Sequence, residues 1–399
     1  MFPPPSIKLG TQVGFASQEI YLDNAATTKP WPQVREAVAN ALESGFGNAS
    51  SLHKRGLDAA RQIAQAADHV KDLAGSREWR VVFTSGGSES ITTAILGTVP
   101  RGKRDTVITS TVEHAAVEDA CKLVAERGGR VVELSAGSSG VVDPDDFAAA
   151  VDERTALVSL VHVASEMGTV QPVEQVARLV KRAAPRCRVH VDAVQAAAHL
   201  GVLDYSAAID MVSISAHKIH GPQGVGALLL RPGVMPRRLI CGGDQQEGVR
   251  PGTFNLPGIV GFGVAAAMAK ERGQKMVERM ASQSQELIRK VVGEVNGVRL
   301  LGDRQARAPG IVVLAVEGVR SQVLLHALEM RGVLASSGSA CHSRRTRPPR
   351  CLTDAGLLSQ EGAVRFSLGP DTNDAQIDAA AAAMVDSVIA VREGRTRCS

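Results

Sequence analysis

Arg188-Val-His-Val-Asp-Ala-Val-Gln195 and Met211-Val-Ser-Ile-Ser-Ala-His-Lys218-Ile-His-Gly-Pro222 follow one plan: a short apolar run that ends abruptly in polar residues. Each reads as a buried strand, Arg188–Asp192 and Met211–Ser215, with room between them for one helix. The alternation continues in both directions. Upstream lie candidate strands Arg80–Thr84, Thr106–Ser110, Arg130–Leu134 and Ala156–Val161, and downstream Val225–Leu230. Helical patterns such as Leu57–Ala74, Val117–Arg127 and Val173–Ala183 separate them. This order predicts an α/β fold with a mostly parallel seven-stranded sheet flanked by helices on both faces. Past about Gly261 the pattern changes, and a long helix, roughly Val264–Val292, leads into a shorter α+β region. The expected division is a large domain over residues 17–262 and a small one over 263–399, joined by residues 1–16.

The 399-residue chain suits two such units. Hydrophobic residues at 44% and charged residues at 22% are the usual globular mix, which argues against disorder or a coiled coil. A net charge of +4 is too small a bias to imply a nucleic-acid partner. No apolar run is long enough to cross a bilayer, and the N-terminus lacks a basic start followed by an apolar stretch. The six cysteines, Cys121, Cys187, Cys241, Cys341, Cys351 and Cys398, form no CxxC pair and suggest neither a disulfide framework nor a metal site. A reducing compartment follows, and the expected location is cytoplasmic.

Ligands of parallel sheets bind beyond the carboxyl ends of the strands, so the residues that follow each strand carry the chemistry. Lys218 stands on a tight loop before Gly221, Pro222 and Gly224. It reads either as a surface lysine or as a Schiff-base amine. Asp192 reads either as a helix cap or as a carboxylate that keeps a pyridine nitrogen protonated. Together the two suit pyridoxal phosphate. Gly86, Gly87, Ser88 and Glu89 follow a strand and open a helix, which is a common turn and also a phosphate cradle. Ser215, His217 and Thr253 read as further candidate phosphate donors. His114, at another strand end, is either structural or placed to stack on a ring and move protons. Cys341, flanked by small residues in Ser336-Ser-Gly-Ser-Ala-Cys-His-Ser343, reads as an accessible thiol rather than a packing one, whereas Cys351 reads as packing rather than as a resolving thiol. Arg365, inside an apolar strand, needs an anion, either an internal acid or a substrate carboxylate. Arg344, Arg345, Arg347 and Arg350 read as a solvated loop or as a dock for an acidic protein.

Taken in order, these motifs resemble the cysteine desulfurases, in the class V aminotransferase group of fold-type I pyridoxal-phosphate enzymes. The resemblance runs from Tyr21-Leu-Asp-Asn-Ala-Ala-Thr-Thr28 to Arg365-Phe-Ser-Leu-Gly369, most of the chain. It includes Gly47-Asn48 to His53, Phe83 to Glu89, Glu113-His114, Asp192 to Gln195, Ser215-Ala-His-Lys218, Arg250-Pro-Gly-Thr253 and Ser336 to Cys341. It implies that Lys218 carries the cofactor, that Asp192 pairs with the pyridine nitrogen, that Gln195 bonds the phenolic oxygen and that His114 stacks on the ring. Gly87, Ser88, Ser215, His217 and Thr253 would hold the phosphate, Thr253 from the other subunit of a homodimer. Arg365 and Asn24 would bind the substrate L-cysteine. Cys341 would take its sulfur as a persulfide for an acceptor protein, leaving alanine.

Three segments depart from the family pattern. Ala164-Ser165-Glu166-Met167-Gly168 replaces the usual Asn-Asn-Glu-Ile-Gly, which leaves the shorter Ser165 at a cofactor- and substrate-contacting position. Ser88 replaces threonine, and Gly242-Gly243-Asp244-Gln245-Gln246 replaces Gly-Gly-Gly-Gln-Glu. Selenocysteine lyase, with L-selenocysteine as substrate, shares the frame. A sulfur-transfer scaffold with weakened turnover is the alternative that Ala164 and Ser165 suggest.

Overall fold

The computed structural model describes residues 19–338 and 350–394. Cys341, Arg344, Arg345, Arg347, Cys398 and the expected contribution of residues 1–16 lie outside the described residues. In chain order the strands are β1 Ile20–Tyr21, β2 Arg80–Thr84, β3 Thr106–Ser110, β4 Arg130–Leu134, β5 Thr155–Val161, β6 Arg188–Asp192, β7 Met211–Ser215, β8 Gly226–Leu230, β9 Val298–Leu300, β10 Ile311–Glu317, β11 Val333–Leu334 and β12 Glu361–Ser367. The helices are α1 Pro32–Glu43, α2 Lys54–Leu73, α3 Gly87–Thr98, α4 Ala115–Glu126, α5 Pro144–Ala150, α6 Val173–Ala183, α7 Ala196–His199, α8 Leu256–Glu294, α9 Ser321–Glu329, α10 Arg350–Asp354 and α11 Asp374–Arg392.

The large sheet has seven strands in the order β2-β8-β7-β6-β5-β3-β4. Only β8 opposes the rest, pairing antiparallel with β2 and β7. Strands β3, β5, β6, β7 and β8 are buried along nearly their whole length, which explains their unbroken apolar runs. A polar row crosses this apolar sheet. Ser159 Oγ and Ser213 Oγ flank the His190 ring at 2.9 Å on either side, which ties β5, β6 and β7 together. Burial pushes His190 down to about 3, so the ring is neutral.

Helix α8 begins at Leu256, earlier than the glycines around position 261 suggested. Asn255 caps it by accepting from the Gly258 N–H at 3.2 Å, and Pro257 fits its first turn. The glycines serve close packing: a Cβ on Gly263 would lie 2.6 Å from Ala66 Cα of α2. The first half of α8 joins the core of the large sheet through Ile259, Phe262 and Ala266. Its second half joins a separate core through Met280, Leu287 and Val291. That core is built on the antiparallel sheet β12-β10-β9 and covered by α9 and α11. Leu22, just after β1, packs into it, and β1 pairs with β11. No helix among the described residues is long and apolar enough to cross a membrane.

Candidate active site

The carboxyl ends of β3, β5, β6 and β7 open onto one cavity of about 210 Å³. Ten of the expected site residues line it: Gly87, Ser88, His114, Ser165, Asp192, Gln195, Ser215, His217, Lys218 and Arg365. Two do not. The buried Asn24 spends its amide on the Ser367 carbonyl at 3.0 Å, tying the chain start to β12. Thr253 is exposed on this chain and away from the cavity. The Gly242–Gln246 run docks on the edge of the large sheet, where the Gln246 side chain accepts from Phe83 N–H at 2.6 Å and donates to Phe83 O at 2.9 Å.

Lys218 closes a 3₁₀ turn directly after β7. The turn is tight: Gly221 N–H returns to the Ala216 carbonyl, and His220 takes a left-handed φ of 62°, stacked on Trp31 at 4.6 Å. The Lys218 Nζ donates to the carbonyls of Ala25 and Ala26 at 2.6 and 2.7 Å. Both alanines line the cavity, and sequence reasoning missed them as site residues; the Tyr21–Thr28 motif was the available signal. His217 bonds Thr27 Oγ1 at 3.1 Å, and burial, with Lys218 adding, pushes its ring down to about 4.

Asp192 ends β6, buried. Its Oδ1 accepts from Val194 N–H at 3.0 Å, while α7 begins later, with Gln195 and not Asp192 at its N-cap position, so the helix-cap reading does not hold. Burial pushes the Asp192 carboxyl up, and the nearby His114 and Lys218 oppose that shift. His114 caps α4, with Nδ1 accepting from Ala116 N–H at 3.1 Å. A neutral ring therefore carries its proton on Nε2. Gly86, before α3, has φ 158° and ψ −175°, a region essentially reserved for glycine. Gly87 and Ser88 then open α3 into the cavity with first-turn N–H groups lacking helical partners.

Ser215 Oγ and Gln195 Oε1 are among the buried polar atoms that lack partners among the described residues. Both belong to cavity-lining residues, as expected where a polar group binds. The fully buried Arg365 is held on two sides, by Asp23 at 2.8 Å and by the Ser165 carbonyl at 2.9 Å, and its Nε is unpartnered among the described residues. Its internal acid is thus Asp23. Cys351 is buried, and its thiol donates to Glu166 Oε2 at 2.8 Å. Burial, with Glu166 adding, pushes that thiol well above its ordinary range, as a packing residue should be.

Glu113, beside His114, is a buried acid whose behaviour the sequence does not reveal. Its Oε1 accepts from Ser110 Oγ at 2.6 Å and Val161 N–H at 3.1 Å, while Oε2 is unpartnered among the described residues. Burial outweighs both bonds and, with Asp192 adding, pushes it up to about 8. The native state holds this proton where the unfolded chain releases it. Glu113 therefore contributes stability that is full below the ordinary carboxyl range and lost as pH rises towards 8. Glu113→Gln keeps the accepting oxygen and removes the titration. Between pH 5 and pH 8.5 the wild type should lose stability relative to this variant by a few kcal/mol, on the order set by linkage, in urea unfolding. Parallel curves for the two proteins would show that Glu113 is ionised in the fold.

The Aminotransferase class-V family matches residues 20–380. A cysteine desulfurase of Nostoc sp. is 37% identical over 362 residues, 90% of this chain and 90% of its own length. The cysteine desulfurase IscS of Dictyoglomus turgidum is 36% identical over 358 residues, 88% of this chain and 90% of its own. Among solved structures, a NifS-like protein aligns with TM-score 0.83 at 31% identity, over 92% of this chain and 99% of its own. A structure of SspA in complex with cysteine aligns with TM-score 0.76 at 30% identity, over 88% of this chain and 99% of its own. With its strand-end lysine and aspartate on one cavity and relatives alike over nearly its full length, this chain belongs to the class-V aminotransferases and, within them, to the cysteine desulfurase family.

Proposed function

We propose that this protein removes sulfur from L-cysteine to leave L-alanine, with Cys341 receiving the sulfur as a persulfide. The observation that carries the reading is the convergence of Lys218, Asp192, His114, Gln195 and Ser215 on one cavity in a chain of this family. The residues fit pyridoxal phosphate. Ser215 Oγ and the first turn of α3 suit its phosphate, Gln195 its phenolic oxygen and Asp192 its pyridine nitrogen.

When bound, pyridoxal phosphate supplies an electron sink beside the carbon that bears the substrate amine. Lys218 supplies the tethering amine, and afterwards a base within the cavity. Asp192, buried and already bonded to Val194 N–H, keeps a proton on the ring nitrogen. His114 offers a face for stacking and an Nε2 proton. Arg365 binds the substrate carboxylate, and the Ser165 carbonyl holds the guanidinium in place for it. Thr253 completes the phosphate site from the other subunit of a homodimer. The persulfide passes to an acceptor protein, a cycle suited to a reducing cytoplasm.

The test supplies the cofactor-loaded protein with L-cysteine and, in parallel, with L-selenocysteine. Alanine and protein-bound persulfide should appear from cysteine in matched amounts. A protein that forms alanine from selenocysteine alone would overturn the reading in favour of a selenocysteine lyase.

A further inference from the structure

The opposite edge of the large sheet carries a second cleft, of about 610 Å³, which the proposed reaction does not use. It lies at the amino-terminal ends of β5 and β6, where Ala156 and Arg188 line it. Strand β6 has five residues, so roughly 17 Å of sheet at about 3.3 Å per residue separates the cleft from Asp192.

Three segments distant in sequence, 100–104, 181–188 and 231–238, meet there. Four arginines, Arg104, Arg186, Arg188 and Arg237, and no acid line the cleft, in a chain whose net charge is only +4. Several parts are fixed in advance. Arg104 Nη2 donates to the carbonyls of Thr155 and Arg186 at 3.0 and 2.8 Å. Arg188 is held by Asp210 at 2.8 Å, and the same carboxylate also takes Lys181, so one acid faces two cations. The 231–238 segment is pinned by Arg237 N–H on the Gly97 carbonyl at 2.8 Å. It approaches closely enough that a Cβ on Gly97 would lie 2.6 Å from Arg237 O. Arg186 and Arg237 are exposed.

Gathering like charges in a concavity raises their mutual repulsion, which a multivalent anion relieves. The volume falls within the range of small-molecule clefts, about 300–1,000 Å³. Guanidinium forks match phosphate oxygens in pairs. The three segments contain no Phe, Tyr or Trp on which a nucleobase could stack, which disfavours a nucleic acid. The concave shape favours a compact anion over the face of an acidic protein. We propose that this cleft binds a small molecule bearing two or more phosphate groups, at a site distinct from the cofactor cavity.

The probe is inorganic pyrophosphate, titrated calorimetrically at low salt into the full chain loaded with cofactor, so that the phosphate cradle of α3 is already filled. Saturable binding with one site per chain is expected. Arg186→Ala with Arg237→Ala should weaken it by roughly a hundredfold, about tenfold for each charge-assisted pair, with cysteine turnover unchanged. Arg186→Lys with Arg237→Lys should fall between that variant and wild type. A control pair on exposed arginines elsewhere, Arg61→Ala with Arg289→Ala, should leave binding intact. The proposal is overturned by absent or non-saturable pyrophosphate binding, or by unchanged affinity in the alanine pair. It is equally overturned if a glutamate-rich peptide or an oligonucleotide binds the cleft more tightly than pyrophosphate.

Discussion

Lys218→Ala should lower alanine formation from cysteine by about 10⁴-fold or more, the scale expected when a tethering amine and proton-transfer base is lost together. No other lysine lines the cavity among the described residues, so no second amine can stand in. The fold should survive. The ammonium donates to the Ala25 and Ala26 carbonyls, and those groups can be solvated from the cavity. The same variant should lose the visible absorbance that borohydride removes from the wild type. A Lys218→Ala protein that keeps both the absorbance and near-wild-type turnover would show that another group carries the cofactor.

Cys341→Ala should abolish persulfide formation and cysteine turnover while lowering selenocysteine turnover much less. A free thiol titrates near about 8.5, so sulfur leaves poorly unless a nucleophile takes it, whereas a selenol is already ionised at neutral pH. The described cysteines offer no replacement at the cavity. Cys121 and Cys187 sit in the core with thiols pushed up to about 12, chiefly by burial. Cys351 is buried against Glu166, and the exposed Cys241 does not line the cavity. The wild-type rate with cysteine should rise with pH along a thiol-like titration, since the thiolate attacks. Persulfide still formed in Cys341→Ala at the wild-type rate would make Cys341 a bystander.

Much of this site was legible because of one geometric rule. In a parallel sheet the carboxyl ends of the strands share an edge, so Asp192, Ser215, Lys218 and His114 are neighbours once their strands are recognised. The strands themselves were legible because buried β-branched runs ending in polar residues have few other readings. Helix α8 was placed too short for the converse reason. Glycine weakens a helix by local propensity, and only the neighbouring α2 shows why Gly263 is kept.

Composition and motif order alone were enough for the α/β class, the family and ten of the residues around the cavity. Local pattern could reach no further, because it reports the burial and turn of each segment and not which distant segment it meets. Asp23 meets Arg365 across 342 positions, and Ala25 meets Lys218 across 193. Asn24, expected at the substrate, instead donates its amide to the Ser367 carbonyl of β12. Arg104, Arg186 and Arg237 lie far apart in sequence, and only the crossovers of the sheet bring them to one cleft. Long-range pairing is set by chain topology and by the packing of whole elements, and it is there that Arg365 acquired its carboxylate and Glu113 kept its proton.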